Sequence, residues 1–597
     1  MGEDSLRFNW DSPILISPHK HTRVYYGSKK LHRSDDRGDS WTAISPDLSR
    51  QRDRLKLPVM GRVWSIDAIW DLLAMSEYGN ITSIDESPLK EGLIYVGTDD
   101  GLIQVTEDGG RNWRKIESID GVPEFAFIND IKADLHDVDT VYAVLDHHKT
   151  GDYRPFVMKS TDRGQTWSPM TGDLPDRHIV WRIVQDHVDP DLFFLGTEFG
   201  LFFTVDGGRI WVKLKGDVPT IPFRDLEIQK RENDLVGATF GRGFFVLDDY
   251  SSLRGLSNEL LENSEFLLFP ARKAPLYVPA RALGREKGTQ GDAFYTASNP
   301  PLGAVLTYYL RDELKTKRKL RHEKEAEVKK TGGNNVYPGF DAIKTEEREE
   351  EPEIVFTISN DQGQVVRRIK GETAAGFHRL AWDLRHAPPT SDEDSRGPLV
   401  TPGTYTVKAA RRVADQSTPL GEARTFEVVA VGNPSLPPQN RREVEQFQLQ
   451  AGKLLNEATG IVGRLRETLD QLKAAKAAIR AAALPNSDLL DETRRLELKL
   501  LDAQDVLTGN KTKTKRQHPT TPSILQRAEN ALDGSLNSTY GPTKTHREEF
   551  EIAQRQMKSL MPELRKMLED DLPQLQKKLS RAGVPWTSGR PIPGPRQ

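Results

Sequence analysis

The sequence of 597 residues contains no cysteine. Disulfides, thiolate nucleophiles and cysteine-ligated metal sites are therefore excluded. No stretch approaches the roughly 18 uninterrupted apolar residues of a transmembrane helix, so no membrane span is expected. The formal net charge is only −4, from 84 Lys and Arg against 88 Asp and Glu. This balance gives no electrostatic reason to expect nucleic acid or an anionic membrane as a partner.

Targeting and cofactor signals are also missing. The segment from Met1 to Leu6 has neither the basic region nor the apolar core of a signal peptide, and we expect none in this chain. The sequence contains no P-loop, no G-x-S-x-G, no H-E-x-x-H and no dinucleotide fingerprint. We therefore expect no cofactor and no metal ion.

The sequence does contain a clear internal repeat. Equivalent short apolar strands end at Gly27, Gly97, Val144, Gly196 and Gly237, which are 70, 47, 52 and 41 residues apart. Apart from the first step, this is the period of a four-stranded propeller blade. The first four strands are each followed by Ser/Thr-x-Asp-x-Gly-x-x-Trp, in the sets Ser34, Asp36, Gly38, Trp41; Thr106, Asp108, Gly110, Trp113; Ser160, Asp162, Gly164, Trp167; and Thr204, Asp206, Gly208, Trp211. The repeat predicts consecutive β-propeller blades over residues 12–250.

The chemistry of this octapeptide, the Asp-box, favours a structural role. Glycine supplies the positive φ of a tight turn. The aspartate and the hydroxyl can bind the amides of the turn itself. The tryptophan can fill the wedge between neighbouring blades. We therefore interpret the four motifs as folding devices rather than as ligand sites.

The long first step implies an insertion between residues 50 and 78. It is rich in tryptophan and charge rather than in glycine and serine, and long loops on a rigid scaffold often carry function. The alternative is a lid packed on the propeller face. Its candidate ligand-binding or catalytic residues are Arg62, Trp64, Asp67, Trp70 and Asp71.

The rest of the chain changes character twice. Short strands with turn signals predict an Ig-like β-sandwich over 265–430, with a solvated, mobile charged insertion at 311–352. Apolar residues then alternate in steps of four and three from Phe447 to Ile479, which predicts a helical bundle over 440–582. A disordered tail is expected at 583–597. The fold class is thus mainly β, with an α-helical C-terminal region.

Three sequence segments resemble those of a known family: Tyr95 to Leu102, Gly196 to Leu201, and Gly241-Arg242-Gly243. They are similar to the Asp-box (bacterial neuraminidase repeat) propellers and, more narrowly, to the sortilin-like or Vps10-like repeat proteins that bacteria export. The resemblance implies an extracellular or periplasmic location for the full-length protein. Some members of this family are labelled glycosyl hydrolases, and related propellers bind polypeptides.

Three functions remain open at this stage. The first is a non-catalytic binding or scaffold protein that recognises a polypeptide or a glycan, with Arg62, Trp64, Trp70 and Arg242 as binding residues. The second is a glycoside hydrolase, which needs two carboxylates across a cleft. Its candidates are Asp67, Asp71 and Glu198. The third is a purely structural envelope protein that assembles through the helical bundle.

Overall fold

The computed structural model describes residues 5–73, 77–279, 297–392, 395–413, 416–432, 439–482, 486–536 and 540–592. The chain divides into two compact units, Met1–Asn263 and Ser264–Gln597. The regular secondary structure described in the first is almost all β-strand, and the second combines β-sheet with a helical C-terminal region. The mainly β fold class expected from the sequence is confirmed.

The described part of the first unit forms five antiparallel sheets, here called blades 1 to 5, each following chain order. Blade 1 contains β1 (Ile14–Ile16), β2 (Val24–Gly27), β3 (Leu31–Ser34) and β4 (Thr42–Ala43). Blade 2 contains β5 (Ile81–Glu86), β6 (Ile94–Thr98), β7 (Ile103–Thr106) and β8 (Arg114–Ile116). Blade 3 contains β9 (Phe127–Ala133), β10 (Val141–His147), β11 (Asp152–Ser160) and β12 (Ser168–Pro169). Blade 4 contains β13 (Val180–Gln185), β14 (Phe193–Thr197), β15 (Gly200–Thr204) and β16 (Val212–Lys213). Blade 5 has three strands, β17 (Phe223–Gln229), β18 (Asp234–Thr239) and β19 (Phe244–Leu247). The short helices α1 (Ile69–Leu73) and α2 (Asn258–Asn263) lie in the insertion and after blade 5.

The inner strand of one blade packs against the inner strand of the next. Asp85 on β5 accepts a hydrogen bond from the backbone N–H of Ala133 on β9 at 2.7 Å. One blade further on, Asp130 accepts one from Ile183 on β13 at 3.1 Å. The approach is close enough to require glycine on the second strand, because a Cβ on Gly97 would lie 2.3 Å from Ile128 Cγ2. This explains the glycines that mark the repeat.

The four turns predicted as Asp-boxes share one hydrogen-bonding pattern. In the first, the Ser34 hydroxyl donates to Asp36 at 2.7 Å and accepts from the Gly38 N–H at 2.7 Å. The Asp36 carboxylate also accepts from the backbone and the hydroxyl of Ser40. These donors lower the pKa of Asp36 to about 2, with the Ser40 hydroxyl first among them. The same hydroxyl-to-carboxylate and glycine-to-hydroxyl bonds recur at Thr106, Ser160 and Thr204.

The tryptophan of a turn reaches the blade before its own. The indole N–H of Trp113 approaches Ile44 O of blade 1 at 3.4 Å, and that of Trp211 donates to Met170 O, beyond β12 of blade 3, at 3.2 Å. Trp211 is accordingly only 5% exposed. Trp41, in blade 1, is 44% exposed and donates within its own turn, to Gly38 O.

Apolar side chains remain exposed at both ends of the blade series. On blade 1 they are Ile14 and Ile16 of β1, and on blade 5 they are Phe244 and Val246 of β19. Within the described residues, no further blade covers either face.

The second unit begins with two packed sheets. One contains β20 (Phe266–Leu268), β22 (Ala304–Leu310) and β25 (Gly376–Trp382). The other contains β21 (Ala274–Leu276), β27 (Gln416–Ala430), β26 (Gly403–Val413), β23 (Glu353–Ser359) and β24 (Val365–Gly371), in that spatial order. Trp382 and Tyr405 are buried between the sheets, with ring centroids 5.3 Å apart. The Trp382 indole donates to Arg385 O at 2.9 Å, which satisfies its buried N–H.

The charged insertion is solvated but helical. It forms α3 (Lys317–Lys330) and α4 (Phe340–Glu347), neither of which has a buried side chain. Arg321 joins the two helices through Glu346 at 2.8 Å and also pairs with Glu325, one turn along α3. The expectation of a solvated, mobile insertion did not include these i,i+4 and cross-helix ion pairs, which support helix formation without an apolar core.

The C-terminal helices pack around a shared apolar core. They are α5 (Arg441–Ala481), α6 (Ser487–Thr508), α7 (Lys511–Thr514), α8 (Ile524–Leu536), α9 (Lys544–Arg565) and α10 (Leu572–Arg581), with a π-helical turn at Lys566–Asp571. The predicted seam on α5 is buried from Phe447 to Ile479, except for the partly buried Ile461.

The tail that the sequence predicts to be disordered makes contacts with the last helix over its described part. Val584 is buried, and the Arg590 guanidinium donates to Val584 O and Pro585 O and to the Ser580 hydroxyl. The proline and glycine residues of the tail suggest an irregular chain. They do not reveal the contacts of Arg590, because these depend on how the tail folds back against the end of α10. Residues 593–597 lie outside the described part of the chain.

Candidate functional site

The alternating direction of the strands sorts the loops of the first unit onto two faces. Loops from the second to the third strand of a blade lie on the same face as the segment that leads into the inner strand of that blade. Backbone bonds join the two kinds of loop, from Asp99 N to Asn80 O, from Glu198 N to Ile179 O and from Phe240 N to Pro222 O, at 2.9–3.0 Å. We call this side the cavity face. The four tryptophan turns lie on the opposite side, the turn face.

Four inner strands carry a one-residue bulge at an equivalent position. The register shifts leave Thr82, Asn129, Trp181 and Arg224 without a direct partner on the second strand. A bulge re-aims the side chain that it carries. All four bulged residues line one cavity of about 460 Å³. The fold thus directs one side chain from each of blades 2 to 5 to a common site.

A second cavity of about 630 Å³ shares a wall with the first. Trp181, His148 and Arg224 border both spaces. Both volumes lie within the range typical of ligand sites, roughly 300–1,000 Å³. The second cavity is further lined by aromatic, cationic and acidic side chains, among them Tyr153, Arg177, Glu198, Phe199 and Phe240.

The shared wall is held by contacts among three side chains. The Arg224 guanidinium stacks 3.7 Å from the centre of the Trp181 ring. The Trp181 indole N–H donates to Glu198 Oε2 at 3.0 Å. Burial lowers the pKa of Arg224, against the carboxylates nearby that raise it. A cation over an indole whose N–H is already satisfied is a preorganised surface for a ligand.

An aspartate–histidine pair borders the same space. Asp146 is buried at the end of β10 and bonds the Nδ1 ring atom of His148. The His148 ring meets the Trp181 ring edge-on, with centroids 6.0 Å apart. The carboxylate thereby fixes the ring orientation and leaves Nε2 for other partners.

Arg182, which lines the first cavity, connects residues of three blades. Its Nε donates to Asp225 at 3.0 Å, and its NH1 donates to the carbonyl of Asn129. Burial alone would lower the pKa of Arg182, but the carboxylates of Asp130 and Asp225 outweigh it, and the net pKa is raised. The ion pair links blades 4 and 5 beneath the bulged residues.

The structure brings only one of the predicted catalytic residues to these cavities. Glu198 lines the second cavity, whereas Asp67 and Asp71 line neither. The backbone N–H of Asp67 donates to the Ser65 hydroxyl, and Asp71 lies in α1. The three carboxylates therefore do not share a cavity wall.

The predicted binding residues of the insertion also lie off the cavity walls. Arg62 stacks 3.6 Å from the ring centre of Trp64, whose indole N–H donates to Val59 O. Trp70 is 86% exposed. Arg242 is exposed in the loop between β18 and β19, two residues after the cavity-lining Phe240.

Sequence reasoning missed the bulged residues, although a signal was present. Thr82, Asn129 and Trp181 each lie 15 residues before the repeat markers Gly97, Val144 and Gly196, and Arg224 lies 13 before Gly237. Their residue types share no chemistry, so composition gave no reason to group them. Only the bulge makes their positions equivalent.

Within the described residues, no group of three or more His, Asp or Glu side chains is placed to hold a metal ion. Nor does the described chain include a helix that is long and apolar enough to cross a membrane. No protein-family model and no curated protein matches the sequence.

Solved structures give distant matches. An ancestral GH74 enzyme is 14% identical over 52% of this chain and 38% of that chain, with a TM-score of 0.30. A GH74 xyloglucanase from Xanthomonas campestris is 15% identical over 71% and 65%, with a TM-score of 0.31. YCF48 bound to D1 peptide is 16% identical over 39% and 66%, with a TM-score of 0.22. This chain spans less than two thirds of each of them, and similarity at this distance carries no argument about activity.

Proposed function

We propose that the protein is a non-catalytic binding or scaffold protein whose cavity face recognises a polypeptide. The observation that carries the proposal is the preorganised wall of Trp181, Arg224 and Glu198 between two cavities. Aromatic rings and guanidinium groups dominate binding energy where polypeptides are recognised. Here both are already fixed in place, so little conformational entropy is lost on binding.

The mixture of charges favours a polypeptide over a simple anion. The first cavity is lined by charges of both signs, the cations Lys149, Arg182 and Arg224 and the carboxylates Asp11, Asp146 and Asp225. A phosphate or sulfate would meet the carboxylates unfavourably. A peptide segment offers both amide donors and carbonyl or carboxylate acceptors, and can satisfy both signs. A glycan hydroxyl can do the same, and a glycan is the other ligand class that this wall could accept.

Glycoside hydrolysis is the second candidate function, and Glu198 beside an aromatic wall is the observation in its favour. The reaction needs a carboxyl group that keeps its proton until transfer, opposite a second carboxylate. Two carboxyl groups whose pKa burial raises to about 6 are Asp85 and Asp99. Both accept backbone N–H bonds inside blade structure and line neither cavity. Three carboxylates of the cavities, Glu198, Asp146 and Asp225, are instead engaged by Trp181, His148 and Arg182 respectively.

Family, domain limits and location belong to the same proposal. We infer an Asp-box propeller of the exported, sortilin-like repeat kind, with blades over 12–250, an Ig-like sandwich over 265–430 and a bundle over 440–582. The repeated bonding of the four turns supports the Asp-box interpretation. A location outside the cytoplasm follows from that resemblance, and cell fractionation of the producing organism would test it.

The function is tested by binding and turnover on the same preparations. Peptide and glycan arrays are probed alongside a reducing-sugar assay on plant and bacterial polysaccharides. The variants are Arg224→Gln and Glu198→Gln, with Arg111→Gln on the turn face as the matched control. Peptide binding weakened about tenfold by Arg224→Gln and unchanged in the control is the expected result. Release of sugar that Glu198→Gln abolishes would refute the proposal and establish a hydrolase.

A further inference from the structure

The insertion between blades 1 and 2 is a structured arm with an uncovered apolar surface. We define the arm as residues 53–73. Its side chains Met60 and Trp70 are 93% and 86% exposed. The arm also has internal order, because Val59 and Arg62 pair as a bridge, Trp64 donates to Val59 O and the Arg54 side chain donates to Leu72 O. The exposed apolar side chains of the arm are Leu55, Met60, Val63, Ile66, Ile69 and Trp70.

These exposures overturn the alternative of a lid packed on the propeller face. A packed lid would bury its largest apolar side chains, and Trp70 and Met60 are among the most exposed of the first unit. Several large apolar side chains left exposed on one structured segment are a feature of interaction surfaces. Within the described residues, nothing covers these side chains.

The base of the arm is fixed to the cavity face. The Arg50 N–H donates to the Asp100 carboxylate at 2.7 Å, and the Arg50 side chain donates to Asp100 O and Glu117 O. On the return side, the N–H groups of Gly79 and Asn80 donate to the Asp99 carboxylate at 2.9 and 2.8 Å. Asp99 and Asp100 lie in the loop between β6 and β7, one of the cavity-face loops. The arm thus emerges on the side that carries both cavities.

The charges on the arm distinguish between two kinds of partner. The basic residues of the arm are engaged within it: Lys56 pairs with Asp53 at 3.3 Å, Arg54 donates to Leu72 O and Arg62 stacks on Trp64. Asp67 directly follows the exposed Ile66, and Asp71 directly follows the exposed Trp70. Carboxylates among inserted apolar side chains are costly at a lipid surface and are repelled by anionic headgroups. A polypeptide can meet them with amide N–H groups or with basic side chains. The pattern therefore favours a polypeptide over a membrane.

We infer that the arm is an apolar docking site for an unfolded or extended polypeptide, whose other part occupies the cavity wall at Trp181 and Arg224. The inference rests on the proposed function and names its ligand more closely, as a segment that carries both apolar and acidic side chains. Met60, Ile66 and Trp70 bind the apolar part. Asp67 and Asp71 accept hydrogen bonds from the ligand backbone, and Arg224 binds its acidic group.

The test uses the full chain and a fluorescein-labelled, reduced and carboxymethylated polypeptide, which stays unfolded and is both apolar and acidic. The arm variant is Met60→Ser/Trp70→Ser. The matched control, Leu89→Ser/Val188→Ser, replaces two exposed apolar residues in loops of the turn face. All four positions are exposed, so unchanged circular dichroism and melting are expected. We expect the arm variant to raise Kd about tenfold and the control to leave it unchanged.

Parallel measurement of Arg224→Gln separates this inference from the proposed function. Loss of affinity in both the arm variant and Arg224→Gln supports both. Loss in the arm variant alone supports the docking arm and refutes the cavity site. Loss in Arg224→Gln alone, or equal loss in the arm variant and the control, refutes the docking arm. The docking arm is also refuted if the wild-type chain does not bind the polypeptide. The same holds if the wild-type chain sediments with neutral lipid vesicles and the Met60→Ser/Trp70→Ser variant does not.

Discussion

Replacing the tryptophan of a turn by alanine should cost very different amounts of stability in different blades. Trp211 packs between blades 3 and 4 among Met170, Phe193 and Phe202, and is 5% exposed. Trp41 occupies the same position of the motif in blade 1 and is 44% exposed, with Tyr26 as its ring neighbour at 6.2 Å. The two residues share the motif positions and the hydrogen bonds of the turn, so Trp41→Ala is a control for Trp211→Ala within one chain.

The magnitudes follow from the buried surface. A tryptophan buries about 250 Å² when fully covered, so Trp211 buries about 240 Å², equivalent to about 6 kcal/mol of transfer free energy. Because the unfolded chain already covers part of this surface and alanine retains some of it, we expect a loss of about 3–5 kcal/mol. Trp41 buries about 140 Å² by the same reasoning, and water can fill the space that it leaves. We expect its replacement to cost about 1–2 kcal/mol.

Differential scanning calorimetry or far-UV circular dichroism of the full chain measures this difference without relying on tryptophan fluorescence. For a unit of this size, Trp211→Ala should lower the melting temperature of the β-rich unit by about 10 °C, and Trp41→Ala by a few degrees. The melting of the helical bundle should be unaffected by either change. Equal shifts for the two variants would refute the idea that the indole acts by filling the wedge between blades.

Other predictions concern backbone packing and pH. Gly97→Ala should cost about 1–3 kcal/mol, because its Cβ would overlap Ile128 Cγ2, and an unchanged melting temperature would contradict this. Gly463→Ala, on α5 with no atom within 4 Å of the new Cβ, should instead stabilise the bundle by about 0.5–1 kcal/mol, measured by urea unfolding. Burial raises the pKa of Asp99 to about 6, so the folded protein binds this proton more tightly than the unfolded chain does. The free energy of unfolding should therefore rise as pH falls from about 7 to about 4.5. Asp36 has its pKa lowered to about 2, so its contribution should be lost between about pH 4 and pH 2. In urea titrations, stability that only falls on acidification would contradict the Asp99 assignment, and stability that only rises would contradict the Asp36 assignment.

The residue pattern by itself determined the blades and the helical seam. The octapeptide around Trp113 needs only its own hydroxyl, carboxylate and glycine to form a turn, so its structure is local and legible in sequence. The seam on α5 is equally local, because a period between three and four places its residues on one side of any helix. The same logic fails for the C-terminal tail, where the contacts of Arg590 are made with residues up to ten positions away at a helix end.

Only the tertiary structure decided where a ligand could bind. Trp181 and Arg224 meet because two bulges on different blades turn them toward the same space, and a bulge depends on register between strands rather than on the residue that it carries. Glu198 contacts Trp181 through one hydrogen bond from the indole N–H. Asp67 and Asp71, which the sequence offered with Glu198 as candidate catalytic residues, lie on the arm instead. Local chemistry fixes the turns and helices of this protein, but a site assembled from single residues of four blades exists only once the blades are packed.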